Sequence, residues 1–336
     1  MCSARSFTLL PAGERNSIKV EAIEISGLTK SFGSNLVLDR LGFQVRRGSI
    51  HGFLGPNGAG KTTAIKIILG LIPADSGQIK VLGEPHWFGR KHNFLQYLNY
   101  LPQDPVFPEG LTGREALCLV ANIYRIDRRK SHLRIGRLLD YFDLTAAANR
   151  RIGVYSRGMQ QRLGLAAVLL TEPELLVLDE PVSALDPGGR RQVLEIILKL
   201  KGRATVFFSS HILADVERVC DQVTIIDRGR KLLDAKTSAL LNRFVMEQYL
   251  VTVKPDQLNL AASLIRKNHS VRAVTPHLNQ LLVVSEPGES LKLAEEVLPE
   301  LIRQGITVTE FMPNRTNLED AFFKVLDENH RLEKAR

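Results

Sequence analysis

Apolar and polar positions change rhythm repeatedly along the chain, and each rhythm points to an element. Residues 20–25 and 41–45 read as strand-like pieces, with turn signals at Gly27, Gly33-Ser34 and Arg47-Gly48. An apolar run over 50–54 leads into a glycine-rich loop, and 64–69 then carry helical spacing, with Gly70 where a helix would end. Asp75-Ser76-Gly77 is a turn before a strand over 78–82. From about 112 to 170 the pattern is helical, broken near 145–153. The continuous apolar run 175–178 predicts a buried parallel strand, 190–200 an amphipathic helix, and 204–209 and 223–226 two further buried strands. Strands alternating with helices in this way indicate an α/β core with a mostly parallel sheet.

Past about residue 244 the rhythm restarts. Strand (248–253), helix (258–267), two strands (270–274 and 280–285), helix (290–304) and strand (306–311) follow, with a last helix at 317–327. That βαββαβ order resembles a ferredoxin-like α+β module. A chain of 336 residues is long enough for two domains. The expected organisation is a loose tail over 1–19, a main domain over 20–235 and an accessory domain over 245–330. The accessory part holds no phosphate loop and no cluster with metal-ligand spacing.

Composition narrows the class. Apolar content of 44% and charged content of 24% are ordinary for a soluble globular protein. No apolar run approaches the ~18 residues needed to span a bilayer, and residues 7–10 are too short for a signal-peptide core. Cys2, Cys118 and Cys220 make no CxxC pair, which suits a reducing compartment. The net charge of +9 is spread out, densest between Arg125 and Arg137 with Arg150-Arg151 following. A solvated helix surface is the plain reading of that patch. It has no interleaved aromatics for base stacking, so no specific nucleic acid is expected.

Two motifs carry chemistry on their own. Gly55-Pro56-Asn57-Gly58-Ala59-Gly60-Lys61-Thr62-Thr63 fits the phosphate-loop pattern G-x-x-x-x-G-K-[ST]. Its glycines let backbone N–H groups approach an anion without a Cβ in the way. A helix starting near Lys61 points its positive dipole end at the phosphates. Lys61 reaches the β- and γ-phosphates, and the Thr62 hydroxyl is a ligand for Mg²⁺. The second motif, Leu178-Asp179-Glu180-Pro181, puts two adjacent carboxylates at a strand end that packing does not require. In phosphoryl transfer one carboxylate holds Mg²⁺ and another orients or deprotonates water. Asp179 suits the first role and Glu180 the second.

The further motifs make the chain recognisable. Tyr155-Ser156-Arg157-Gly158-Met159-Gln160 looks like the signature segment of ATP-binding cassette (ABC) transporter subunits. Gln103 matches the family's Q-loop glutamine, Ser183-Ala184-Leu185-Asp186-Pro187 its D-loop, and His211 its switch histidine. Phe32 sits where the family places a ring against adenine. The resemblance covers roughly residues 20–235. It implies a P-loop NTPase cassette with a mostly parallel core sheet, an antiparallel β subdomain and a helical subdomain over about 104–165.

The resemblance also implies roles. Glu180, His211 and Gln103 would serve catalysis, Thr62, Gln103 and Asp179 would face Mg²⁺, and residues 55–63 with Phe32 would bind ATP. Ser156, Arg157, Gly158, Met159 and Gln160 would complete the ATP site of a partner subunit, with Asp186 at the dimer contact. Tyr155, Arg157 and Met159 depart from the usual Leu-Ser-Gly-Gly-Gln, a variant similar to that of type-2 exporters. The implied partners are integral-membrane permease subunits and a second ATP-binding subunit, identical or paralogous. The implied place is the cytoplasmic face of the membrane. A soluble ABC ATPase working on ribosomes or DNA is the alternative; only one cassette is visible, and only about 95 residues, without sustained heptads, separate phosphate loop and signature.

Overall fold

The structure, a computed structural model, describes residues 21–243, 248–286, 289–314, 318–319, 322 and 325–326. The tail expected over 1–19 lies outside the described residues, as does most of the helix expected over 317–327. The chain forms two compact units that divide between Thr237 and Ser238.

The first unit begins with a hairpin of β1 (Glu21–Phe32) and β2 (Asn35–Arg46), then β3 (Ile50–Leu54), α1 (Lys61–Ile68), β4 (Ser76–Val81) and the short β5 (Glu84–Pro85). Strand β6 (Leu98–Leu101) precedes three helices, α2 (Gly113–Ile123), α3 (Arg128–Tyr141) and α4 (Arg157–Leu170), which pack on one another. β7 (Leu175–Asp179), α5 (Pro187–Leu200), β8 (Thr205–Ser210), α6 (Leu213–Val219), β9 (Gln222–Asp227) and β10 (Arg230–Lys236) complete it.

Two sheets result. One is antiparallel in the order β2-β1-β4-β5; the other runs β10-β9-β3-β8-β7-β6, parallel throughout except for the β9–β10 pair. Strands β3, β7 and β8 are buried along their whole length, which is why apolar residues follow one another in them (Leu175 to Leu178, Val206 to Phe208) rather than alternating with exposed polar ones. A core of aliphatic side chains from β1, β2, β4 and α1 joins Phe53, Val177 and Phe207 of the parallel sheet. The rings of Phe43, Phe53 and Phe207 lie 5.1–5.6 Å apart. Each such buried ring contributes about 1.5–3 kcal/mol through area removed from water.

The first hairpin is longer than the pattern suggested. Gly27 does not end a strand: it sits at φ 64° inside β1, where the register against β2 shifts between Ile25 and Leu28. It is a bulge glycine, not a turn. β10 went unseen in sequence because its residues are only half-buried and lack a clean alternation. α5 begins three residues before the expected start, since Asp186 caps it and Pro187 occupies its first position.

The second unit, Ser238–Lys324, opens with α7 (Thr237–Arg243), which straddles the division, followed by β11 (Gln248–Val253), α8 (Leu258–Ile265), β12 (Val271–His277), β13 (Gln280–Ser285), α9 (Ser290–Arg303) and β14 (Val308–Asn314). Its antiparallel sheet runs β12-β13-β11-β14, so each strand–helix–strand unit is split by a strand of the other. Val251, Leu281, Val283, Ala261, Leu293 and Leu301 form its own core.

Candidate functional site

Four loops meet at the carboxyl edge of the parallel sheet: those leaving β3, β6, β7 and β8, which carry Lys61, Gln103, Glu180 and His211 in turn. Ligand crevices of open α/β sheets form at this edge.

The loop after β3 is held open by glycine. A Cβ on Gly55 would lie 2.4 Å from the carbonyl oxygen of Ile226, and one on Gly60 2.7 Å from Leu38, with Gly60 at φ 101°. Neither position admits a side chain without moving backbone. Gly60 then caps α1, whose first-turn N–H groups have no intrahelical acceptor. At the far end of α1, Gly70 at φ 68° closes a Schellman motif, with Leu71 N–H on Lys66 and Gly70 N–H on Ile67. The Lys61 ammonium folds back over the loop and donates to the carbonyl oxygens of Gly55 (2.7 Å) and Pro56 (3.3 Å). Burial lowers its pKa, opposed by the Glu180 and Asp179 carboxylates.

At the end of β7 the two carboxylates diverge. Asp179 accepts from Thr62 Oγ1 at 3.0 Å through Oδ2 and from Ser209 Oγ at 2.5 Å through Oδ1. Glu180 lies 4.0 Å from Lys61 Nζ through Oε1 and 2.8 Å from His211 Nδ1 through Oε2. Both carboxylates are buried. Glu180 also has φ 50°, a left-handed backbone that costs a side-chain-bearing residue about 1–2 kcal/mol. Its N–H donates to Ser209 Oγ at 3.0 Å, and its carbonyl accepts from Ser183 Oγ at 3.0 Å, which hold that conformation.

The structure thus brings together Lys61, Thr62, Asp179, Glu180 and His211. Among the described residues no hydrogen bond or ion pair joins Phe32, Gln103, Ser156, Arg157, Gly158, Met159, Gln160 or Asp186 to that group. Gln103 is exposed. Phe32 is 52% exposed, with the Lys30 ammonium 5.3 Å from its ring centroid. Ser156 caps α4 by accepting from Met159 N–H at 3.2 Å, and Asp186 caps α5 by accepting from Gly189 N–H at 3.3 Å. Tyr155, where leucine is usual, is buried and donates its hydroxyl to the Ala147 carbonyl at 2.7 Å.

Sequence reasoning missed Ser209, the hydroxyl shared by Asp179 and Glu180. The available signal was a serine directly after the apolar run Val206-Phe207-Phe208 of a buried strand, where a polar group needs a partner. It also missed Gln161, which is fully buried and donates from Nε2 to the Pro181 carbonyl at 3.1 Å.

The family described as ABC transporter matches residues 38–183. The bacitracin transport ATP-binding protein BcrA of Bacillus licheniformis is 36% identical over 90% of this chain and 97% of its own length. The Nod factor export ATP-binding protein I of Sinorhizobium fredii is 33% identical over 90% of this chain and 85% of its own. A solved structure of the ATP-binding subunit of an ABC transporter superposes with a TM-score of 0.60 at 31% identity, over 66% of this chain and 93% of that one.

Proposed function

This chain belongs to the ATP-binding subunits of ABC transporters, which bind and hydrolyse ATP, and we propose that it drives export through separate membrane permease subunits. The observation that carries the hydrolytic part is the junction of Lys61, Thr62, Asp179, Glu180 and His211 around one glycine loop. The export part is supported by the relatives named for bacitracin transport and Nod factor export, which align over nine-tenths of the chain.

Roles follow from position. Residues 55–63 cradle the nucleotide phosphates, and Lys61 exchanges its bonds to the Gly55 and Pro56 carbonyls for bonds to phosphate oxygens. The exposed ring of Phe32 offers a stacking face to adenine. Thr62 Oγ1 and Asp179 Oδ2, which share a hydrogen bond of 3.0 Å, would hold Mg²⁺, with Gln103, on a loop at the same sheet edge, as a third oxygen donor. When bound there, Mg²⁺ neutralises charge on the transferring phosphoryl group. Glu180 accepts the proton of the attacking water, and His211 holds that carboxylate while facing the γ-phosphate.

Ser156 keeps its hydroxyl proton while accepting from Met159 N–H, so it remains a donor for a partner's γ-phosphate. With the N–H groups of Arg157, Gly158, Met159 and Gln160 it forms a helix N-terminus suited to an anion. Two subunits, identical or paralogous, stack head to tail around two ATP molecules, with Asp186 at the contact. ATP favours the closed dimer because it binds that state better. Hydrolysis removes the bridging contacts. Among the described residues no helix is long and apolar enough to cross a membrane. The subunit sits at the cytoplasmic face, attached through its permease.

The test is co-expression with a protein of about six membrane-spanning helices encoded beside it. Recovery of both from washed membranes, released together by detergent, is expected. Recovery of the chain on ribosomes at the same salt, without the membrane protein, would replace export with the soluble alternative.

A further inference from the structure

The loop that follows β6 and carries Gln103 is pinned to one face of α4. Arg157, Gln161 and Gly164 are spaced four and three residues apart on that helix and so share a face. Gly164 lets the loop in close: a Cβ there would lie 2.7 Å from Leu101 Cδ1 and 3.1 Å from Pro105. One turn nearer the N-terminus, Gln161 holds the Pro181 carbonyl, next in the chain to Glu180. At the N-terminus itself, Arg157 Nε and Nη2 both donate to Asp104 Oδ1, at 2.9 and 2.6 Å. The segment Leu101-Pro102-Gln103-Asp104-Pro105 is therefore fixed on both sides of Gln103.

Arg157 has a physical need for that anion. It is the first residue of α4, whose first turn holds no acidic side chain. A cation at this end opposes the helix dipole, and Asp104 supplies the compensating charge. Both side chains are 63% exposed. The attraction is therefore screened and adds little to folding stability. Its consequence is geometric.

We infer that Asp104 is a positioning residue: through Arg157 it ties the loop of Gln103 to the helix that presents Ser156. The inference rests on the roles proposed above, in which Gln103 serves the nucleotide of its own subunit and Ser156 that of the partner. The tie makes the two placements one variable. A shift of the glutamine loop carries the signature N-terminus with it, so each subunit's own site sets how it meets its neighbour's.

The experiment compares Asp104→Arg, Arg157→Asp and the double charge reversal in the full chain. Hydrogen exchange of the 101–106 segment is measured without nucleotide, and kcat and KM for ATP are measured alongside. Each single change should speed exchange and the charge reversal should restore it, while Asp104→Arg, which leaves the α4 N-terminus itself unaltered, should lower kcat by about threefold or more with KM within about twofold. Unchanged exchange in the singles, or a reversal no better than the worse single, overturns the inference. So does faster exchange with unaltered kcat, which is what a merely structural ion pair would give. The exchange readout needs no partner, so a failure of head-to-tail stacking, seen as normal dimerisation of Ser156→Arg, is recorded separately.

Discussion

His211 Nδ1 lies 2.8 Å from Glu180 Oε2, joining a histidine that is half exposed to a carboxylate that is 8% exposed. The contact reaches from the sheet edge into the site, where the same carboxylate faces Lys61 through its other oxygen. Glu180 is thus oriented from both sides, and its removal is a more informative change than loss of either neighbour.

Glu180→Gln keeps the shape and the His211 contact but cannot accept a proton. Turnover should fall by about 10²-fold or more while ATP still binds. Single-turnover phosphate release and equilibrium nucleotide binding measure the two separately. Turnover at the parent rate removes Glu180 from the role of base.

Ser156→Arg replaces the cap of α4 with a bulky cation at the proposed partner surface. Loss of the cap costs about 1 kcal/mol locally. The nucleotide affinity of the single subunit should hardly change, because its own loop over 55–63 is untouched. ATP-dependent dimerisation in a Glu180→Gln background, followed by light scattering, should be lost. Normal dimerisation would mean that the helix does not face a partner.

Gly55→Ala and Gly136→Ala separate two kinds of glycine. The added methyl at position 55 meets the Ile226 carbonyl at 2.4 Å, so the loop must shift, at a cost of about 1–3 kcal/mol. Nucleotide affinity should drop by about tenfold or more. At Gly136, on the exposed side of α3, the methyl meets nothing within 4 Å. There the change should raise the unfolding free energy by about 0.5–1 kcal/mol. Binding isotherms and urea titrations read both.

Acid should weaken the fold through His51. This ring lies between Phe43 and Phe207, its Nε2 is 2.8 Å from Thr224 Oγ1, and burial pushes its pKa down to about 3. The unfolded chain binds this proton near pH 6.5. Stability from the neutral ring is therefore complete above about pH 6.5 and is lost as the pH falls toward 3. His86, lowered to about 4 by burial and then by His92, adds to the same loss over the upper part of that range. In His51→Gln the dependence of unfolding free energy on pH between 6 and 4 should flatten by about 1.4 kcal/mol per pH unit. An undiminished slope would put the acid sensitivity elsewhere.

Legibility in sequence followed the range of the forces involved. The phosphate loop and the carboxylate pair could be placed from sequence because glycine geometry and an unexplained Asp179-Glu180 at a strand end are local signals. The buried strands announced themselves as apolar runs for the same reason. What stayed hidden depends on contacts across the chain. Gly27 reads as a turn until its cross-strand register is known. Arg157 reads only as a departure from a motif until Asp104 is found beside it, fifty-three residues away in sequence. Tyr155 likewise makes sense only through Ala147 and through Gly113, where a Cβ would stand 2.4 Å from its hydroxyl.

Ser209 gives the sheet a memory of its alignment. Strand β7 is apolar up to Asp179 and the middle of its parallel neighbour β8 is Val206-Phe207-Phe208, and hydrophobic packing alone distinguishes weakly between neighbouring offsets. Asp179 stands opposite Ser209. A slip of one position would bring either the ring of Phe208 or the next serine to that carboxylate and turn every side chain of the strand to the other face. The hydroxyl therefore acts as a keyed stop that sets the phase of the carboxyl edge of the sheet.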